Sequence, residues 1–208
     1  MIKFERLNRI QQEKIMAIIR VETKERAIEI AEGCLAGEVS CLEISYTNDT
    51  AGDMIHFLKE TYGTRLFLGA GTVLDGYTAR HAIIKGAEFI ISPSFSAEVA
   101  QVCNRYHVPY LPGCMTMTEV VSAIESGCDM VKAFPTSSLI GPEVIGTIKT
   151  PLPNVAVLSS GGVTLDNVHQ WLDAGVDCMG IGSLLSKGSS EEIATNAKEL
   201  RGLVNSYN

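Results

Sequence analysis

With 208 residues, 46% of them hydrophobic and 20% charged, and no low-complexity or charge-run segment, the chain is sized for one domain, residues 1–208, with a substantial core, which excludes a disordered protein. A net charge of −7 without any basic stripe excludes binding to the phosphate backbone of nucleic acid. Six cysteines at positions 34, 41, 103, 114, 128 and 178 contain no C-x-x-C pair and read as reduced core residues; with no signal-peptide pattern and no run near the roughly 18 apolar residues of a membrane span, a cytoplasmic protein without a membrane partner is expected.

After a short N-terminal helix, Ile15-Met16-Ala17-Ile18-Ile19-Arg20 reads as a first strand. Arg20 at its end is a candidate anion ligand, or else a surface arginine. A helical pattern then stops at Ala36-Gly37-Glu38, and Cys41-Leu42-Glu43-Ile44-Ser45 follows as the second strand, with Glu43 on the face shared by Cys41 and Ser45. The third strand is predicted over Arg65–Gly69. Gly69-Ala70-Gly71-Thr72-Val73-Leu74 beyond it only superficially resembles a dinucleotide fingerprint, because Leu74 replaces the third glycine and no ribose-binding acid stands at the expected distance. Thr72 either offers its hydroxyl to a substrate carboxylate or caps the next helix.

Lys85-Gly86-Ala87-Glu88 repeats the joint before a fourth strand at Phe89-Ile90-Ile91, and Pro109–Pro112 reads as the fifth. Ser126-Gly127-Cys128-Asp129 is the third such joint. The run after it, Met130-Val131-Lys132-Ala133-Phe134, places one lysine on a face shared with Met130 and Phe134. Desolvation disfavours the charged form of an amine, so a lysine held this way becomes the nucleophile that Schiff-base chemistry requires; the plainer alternative is an edge-strand lysine reaching solvent. A seventh strand is predicted over Val155–Ser159, followed by Ser160-Gly161-Gly162, and Ala174-Gly175-Val176-Asp177 leads into the eighth at Cys178-Met179-Gly180-Ile181, followed by Gly182-Ser183.

The joint glycines Gly37, Gly86, Gly127 and Gly175 lie 49, 41 and 48 residues apart, about two strand–helix units per step. Each suits the left-handed position that ends a helix. Eight strands alternating with eight helices predict a (β/α)8 TIM barrel of the α/β class. The active site of such a barrel lies at the C-terminal strand ends, where Glu43 and Lys132 stand at similar offsets, six and five residues past their joint glycines. They read as an acid/base group beside a nucleophile, or as a structural ion pair. Glycine loops after the last two strands suit a phosphate. His56, His81, His107 and His169 have no metal-ligand spacing, and there is no G-x-S-x-G elbow, so neither metal, nor cofactor, nor serine hydrolase chemistry is implied.

Taken in order, Ile15 to Arg20, Leu42-Glu43-Ile44, Gly69-Ala70-Gly71-Thr72-Val73, Ile91-Ser92-Pro93, Leu111-Pro112-Gly113, Lys132-Ala133-Phe134-Pro135, Ser160-Gly161-Gly162-Val163 and Gly180-Ile181-Gly182-Ser183 resemble the 2-keto-3-deoxy-6-phosphogluconate (KDPG) aldolase and 4-hydroxy-2-oxoglutarate (KHG) aldolase family. The resemblance implies that Lys132 is the Schiff-base lysine, Glu43 the general acid/base and Thr72 a ligand of the pyruvate carboxylate. It implies phosphate contacts at Gly161, Gly162, Gly182 and Ser183, pyruvate-pocket walls at Pro93 and Phe134, a 2-keto acid and sugar-phosphate substrate, and a homotrimer. Two departures stand out. Tyr46-Thr47-Asn48 lacks the arginine that some members carry after the strand-two glutamate, which leaves Arg20 to supply the charge; Ser159-Ser160 replaces the frequent Pro-Thr, with Ser160 near the substrate C4 hydroxyl. The implied reaction is cleavage of KDPG to pyruvate and glyceraldehyde 3-phosphate. Alternatives are 4-hydroxy-2-oxoglutarate, the galactonate C4 epimer, a non-catalytic sugar-phosphate-binding barrel, or another phosphate-binding barrel such as a thiamine-phosphate-synthase-like enzyme.

Overall fold

The computed structural model describes residues 1–207. Eight parallel strands close in sequence order into a TIM barrel, β1 pairing with β8. The first half runs α1 (Ile2–Glu13), β1 (Ile15–Ile19), α2 (Lys24–Ala36), β2 (Cys41–Ser45), α3 (Ala51–Tyr62), β3 (Phe67–Gly71), α4 (Gly76–Ile84) and β4 (Ile90–Ser92). The second runs α5 (Ala97–Arg105), β5 (Tyr110–Cys114), α6 (Met117–Glu125), β6 (Met130–Ala133), α7 (Thr136–Ile140), α8 (Glu143–Lys149), β7 (Ala156–Ser160), α9 (Val168–Asp173), β8 (Cys178–Ile181), α10 (Ser183–Ser186) and α11 (Ser190–Asn205).

Strand alternation divides the core in two. Met16, Cys41, Phe67, Phe89, Ile91, Leu111, Met130, Ala156, Leu158 and Cys178 point inward and pack with Leu7 and Ile10, so α1 plugs the N-terminal mouth of the barrel. Their neighbours of opposite parity join the inner faces of the helices in a larger cluster. Polar side chains mark where the helices start. Thr23, Asp75 and Ser96 accept the first free N–H groups of α2, α4 and α5, and Thr116 and Ser189 form full capping boxes with Glu119 and Glu192.

The predicted β2 and β8 match the observed ranges, while β3 begins two residues later than expected because Gly63–Arg65 forms an extra 3-10 turn. β5 likewise continues through Pro112 and Gly113, pairing Gly113 with Lys132. Three short or terminal helices, α1, α7 and α10, stand outside the simple alternation. The joint glycines at 86, 127 and 175 do have positive φ, but Gly37 does not: its φ is −98°, and Glu38 takes the left-handed position at 62°. Gly37 is needed for packing instead, since a Cβ there would lie 2.3 Å from the Ala197 side chain of α11.

Candidate active site

Inward parity carries four polar residues toward the C-terminal mouth, namely Glu43 and Ser45 from β2, Lys132 from β6 and Ser160 from β7. Lys132 is only 7% exposed. Its Nζ lies 4.7 Å from the centroid of the Phe134 ring, a cation–π contact, and has no hydrogen-bond acceptor among the described residues. Glu43 is 1% exposed. Its Oε1 receives a long 3.5 Å hydrogen bond from Ser45 Oγ, and Oε2 has no partner among the described residues. Burial raises the Glu43 carboxyl above the ordinary range, while the positive charges of Lys132 and Arg20 and the Ser45 hydrogen bond act the other way. Lys132 and Glu43 therefore sense one another across the interior, yet no salt bridge joins them, so the structural ion pair that the sequence left open is not formed.

The neighbouring strand makes room for the carboxylate. Ser45 is in register with Gly71, and a Cβ built on Gly71 would stand 1.6 Å from Glu43 Oε1.

Thr72 follows immediately, with φ of 59°, a left-handed conformation that is costly for a β-branched residue and tends to be held where function requires it. It is held from both sides. The Tyr46 N–H donates to Gly71 O at 2.7 Å, the Val73 N–H donates to Ile91 O at 3.1 Å, and the buried Ser92 hydroxyl donates to Val73 O. Thr72 is not the helix cap, because Asp75 accepts the Thr78 N–H at 2.7 Å and starts α4. It lines a cavity of about 440 Å³ with Tyr46, Asn48, Tyr77 and His81. Arg20, one residue past β1, is exposed and makes no ion pair among the described residues. Pro93 lies half-buried just past β4, and its carbonyl approaches Gly113 beside Lys132.

The glycine loops meet on the other side of the mouth, around a cavity of about 540 Å³ lined by Gly161, Gly162, Thr164, Asp166, Gly182 and Ser183. Gly161 and Gly162 have successive positive φ values of 87° and 83°. The Gly161 N–H is used by Gly180 O, whereas those of Gly162, Gly182 and Ser183 have no acceptor among the described residues. No lysine or arginine lines this cavity, so an anion there would be held by backbone N–H groups and by the start of α10. Ser160 is buried at the end of β7, inward like Lys132, and its hydroxyl makes no hydrogen bond among the described residues.

The structure thus gathers Lys132, Glu43, Arg20, Phe134, Pro93 and Ser160 around one mouth, with Thr72 and the glycine loops at its two sides. Sequence reasoning missed Ser92 and Ser137, which brace Thr72 and Ser160, and the clearance role of Gly71. A small residue beside a charged one on adjacent strands is visible only once the register is known.

The family profile described as KDPG and KHG aldolase matches residues 7–198. The 2-dehydro-3-deoxy-6-phosphogalactonate aldolase of Escherichia coli K12 is 31% identical over 194 residues, covering 93% of this chain and 94% of that protein. The 2-dehydro-3-deoxy-phosphogluconate aldolase of Treponema pallidum is 31% identical over 169 residues, covering 81% and 79%. A solved structure described as native KDPGal superposes with a TM-score of 0.86 at 31% identity, covering 92% of this chain and 94% of that one.

Proposed function

We propose that this chain, which belongs to the KDPG and KHG aldolase family, is a class I aldolase that cleaves KDPG to pyruvate and glyceraldehyde 3-phosphate through an imine on Lys132. The observation that carries the reading is a buried amine without an acceptor facing the same interior as a buried carboxyl, with no ion pair between them. A pure binding protein gains nothing from that arrangement, since each group is costly to desolvate.

In the forward direction Lys132 Nζ adds to the C2 carbonyl and water leaves, giving an iminium. Glu43, directly or through one water, takes the proton of the C4 hydroxyl; its oxygen forms the aldehyde C=O as the C3–C4 bond breaks and that electron pair moves toward the iminium nitrogen. The released aldehyde is glyceraldehyde 3-phosphate. The proton then returns to C3 of the enamine, and water hydrolyses the iminium to pyruvate and the free amine. Thr72 and Arg20 hold the carboxylate, Phe134 and Pro93 wall the pyruvate, and Gly161, Gly162, Gly182 and Ser183 hold the phosphate. This chemistry calls for no metal or organic cofactor. Trapping with pyruvate and borohydride tests it: a reduced pyruvyl adduct on Lys132 is expected, and a folded protein with no adduct on any lysine sinks the proposal.

The galactonate C4 epimer is a second reading, favoured by the 31% identity to a phosphogalactonate aldolase over 93% of the chain. Ser160, with a free hydroxyl near the position of C4, is the group on which the choice rests. Comparing kcat/KM on the two phosphorylated epimers and on 4-hydroxy-2-oxoglutarate separates the readings. The proposal also includes a cytoplasmic location and a homotrimer. No described helix is long and apolar enough to cross a membrane, and sedimentation of the purified protein tests the trimer.

Gly71→Ala provides a geometric test of Glu43. The added methyl falls on the Glu43 carboxylate, which must move, and a displacement of that size in a reacting group costs about 10²-fold in kcat/KM. The variant should keep its circular dichroism spectrum. Wild-type turnover in a folded Gly71→Ala protein would argue that Glu43 is not in the reaction.

A further inference from the structure

Ser137, the second residue of α7, is fully buried and takes no part in the chemistry above. Its hydroxyl donates to the Ser160 carbonyl at 2.8 Å and accepts from the Ser160 N–H at 3.0 Å. One helix side chain therefore satisfies both backbone groups of a single residue at the end of β7. The β6–β7 ladder ends at Ala133 paired with Ser159, so this bridge adds one more rung where the two strands would otherwise part. The same turn of α7 also supports the double-glycine loop. A Cβ on Gly162 would meet the Ser137 carbonyl at 3.0 Å, and one on Gly161 would meet Ser138 Cβ at 3.3 Å.

The geometry points to Ser137 as a positioning residue that fixes the phosphate loop, through Ser160, relative to the strand carrying Lys132. This rests on the aldolase reading for its account of the substrate. Under it, the spacing between the imine carbon and the phosphoryl group is set by covalent bonds in the substrate, and Ser137 sets the matching spacing in the protein. Two backbone hydrogen bonds on one hydroxyl make a stiffer joint than one, and no other side chain among the described residues bridges β7 to the segment after Lys132.

The role predicts a split between the two halves of the site. In Ser137→Ala the dissociation constant for glycerol 3-phosphate, measured by calorimetry, should rise about tenfold, because two buried backbone groups lose their partner and the loop is released. Cleavage of the phosphorylated substrate should weaken through KM. Half-saturation of pyruvate trapping on Lys132 should stay within about twofold of wild type, since that half of the site is held from β3 and β4. Ser137→Cys fills nearly the same space with a weaker donor and should give the same pattern at smaller amplitude, about threefold, so a failure of the alanine variant to fold leaves the question decidable. Glycerol 3-phosphate binding that is unchanged in both variants, absent in wild type, or weakened only in step with pyruvate trapping overturns the assignment. Wild-type protein that binds glycerol 3-phosphate but traps no pyruvate instead overturns the aldolase reading, and the comparison of Ser137 variants still stands.

Discussion

Lys132→Ala is expected to lose on the order of 10⁴-fold in kcat, to form no borohydride-trapped adduct with pyruvate, and to remain folded. The loss follows from removing the one buried amine among the described residues that can form an imine. The retained fold follows from its surroundings. Among the described residues Lys132 makes no ion pair or hydrogen bond whose removal would strand a partner, and it shares its face with Met130 and with the ring of Phe134 just past β6. Burying an amine costs desolvation that an apolar chain of the same length does not. Lys132→Met, which fills the space with an apolar chain, should therefore melt no lower than wild type while being equally inactive. Activity and melting temperature moving in opposite directions at one residue is the signature of a group kept for chemistry. A Met variant that melts well below wild type would show that Lys132 is structural, and turnover surviving in either variant would remove it from the mechanism.

Lys132 and Glu43 were legible in the sequence because a charge inside a strand-length apolar run is a local anomaly. The barrel itself was legible for a related reason: each helix end, glycine and acidic residue precedes an apolar run, and four such joints recur at a nearly constant spacing. What escaped was whatever depends on a distant neighbour. Gly37 looked like the other joint glycines, but its conformation is ordinary and its smallness serves the approach of α11 from the far end of the chain. Gly71 was one glycine in a motif until the β2–β3 register set it beside Glu43. Ser92 and Ser137 carry no local signal, since a serine at a strand end or in the turn beyond it is common and their partners lie 19 and 23 residues away. That Thr72 does not cap α4 became visible only with the Asp75 cap in place.

Glu43→Gln should lower kcat for cleavage by about 10³-fold while leaving pyruvate trapping on Lys132 intact, because the amide keeps the shape but cannot shuttle a proton. The pH dependence sharpens this. Burial holds the Glu43 carboxyl above the usual range, so its ionised form, the one that can accept the C4 hydroxyl proton, is lost on the acid side sooner than for an exposed glutamate. The acid limb of kcat should lie correspondingly high and should vanish in Glu43→Gln. Stability carries the same sign independently of catalysis. Between the ordinary carboxylate value and the raised one, the folded protein holds a proton that the unfolded chain has released, so the contribution of Glu43 to stability is present at low pH and lost as pH rises through that window. Glutamine does not titrate, and the melting temperature of Glu43→Gln relative to wild type should therefore climb with pH across the window. Lys132→Met removes the stronger of the two charges that pull the carboxyl down, which extends the window upward and should carry the climb on to higher pH when Glu43→Gln is measured in that background. A melting difference flat with pH in both backgrounds would place the Glu43 carboxyl at its ordinary value, and with it would go the reason for calling this group a poised acid and base.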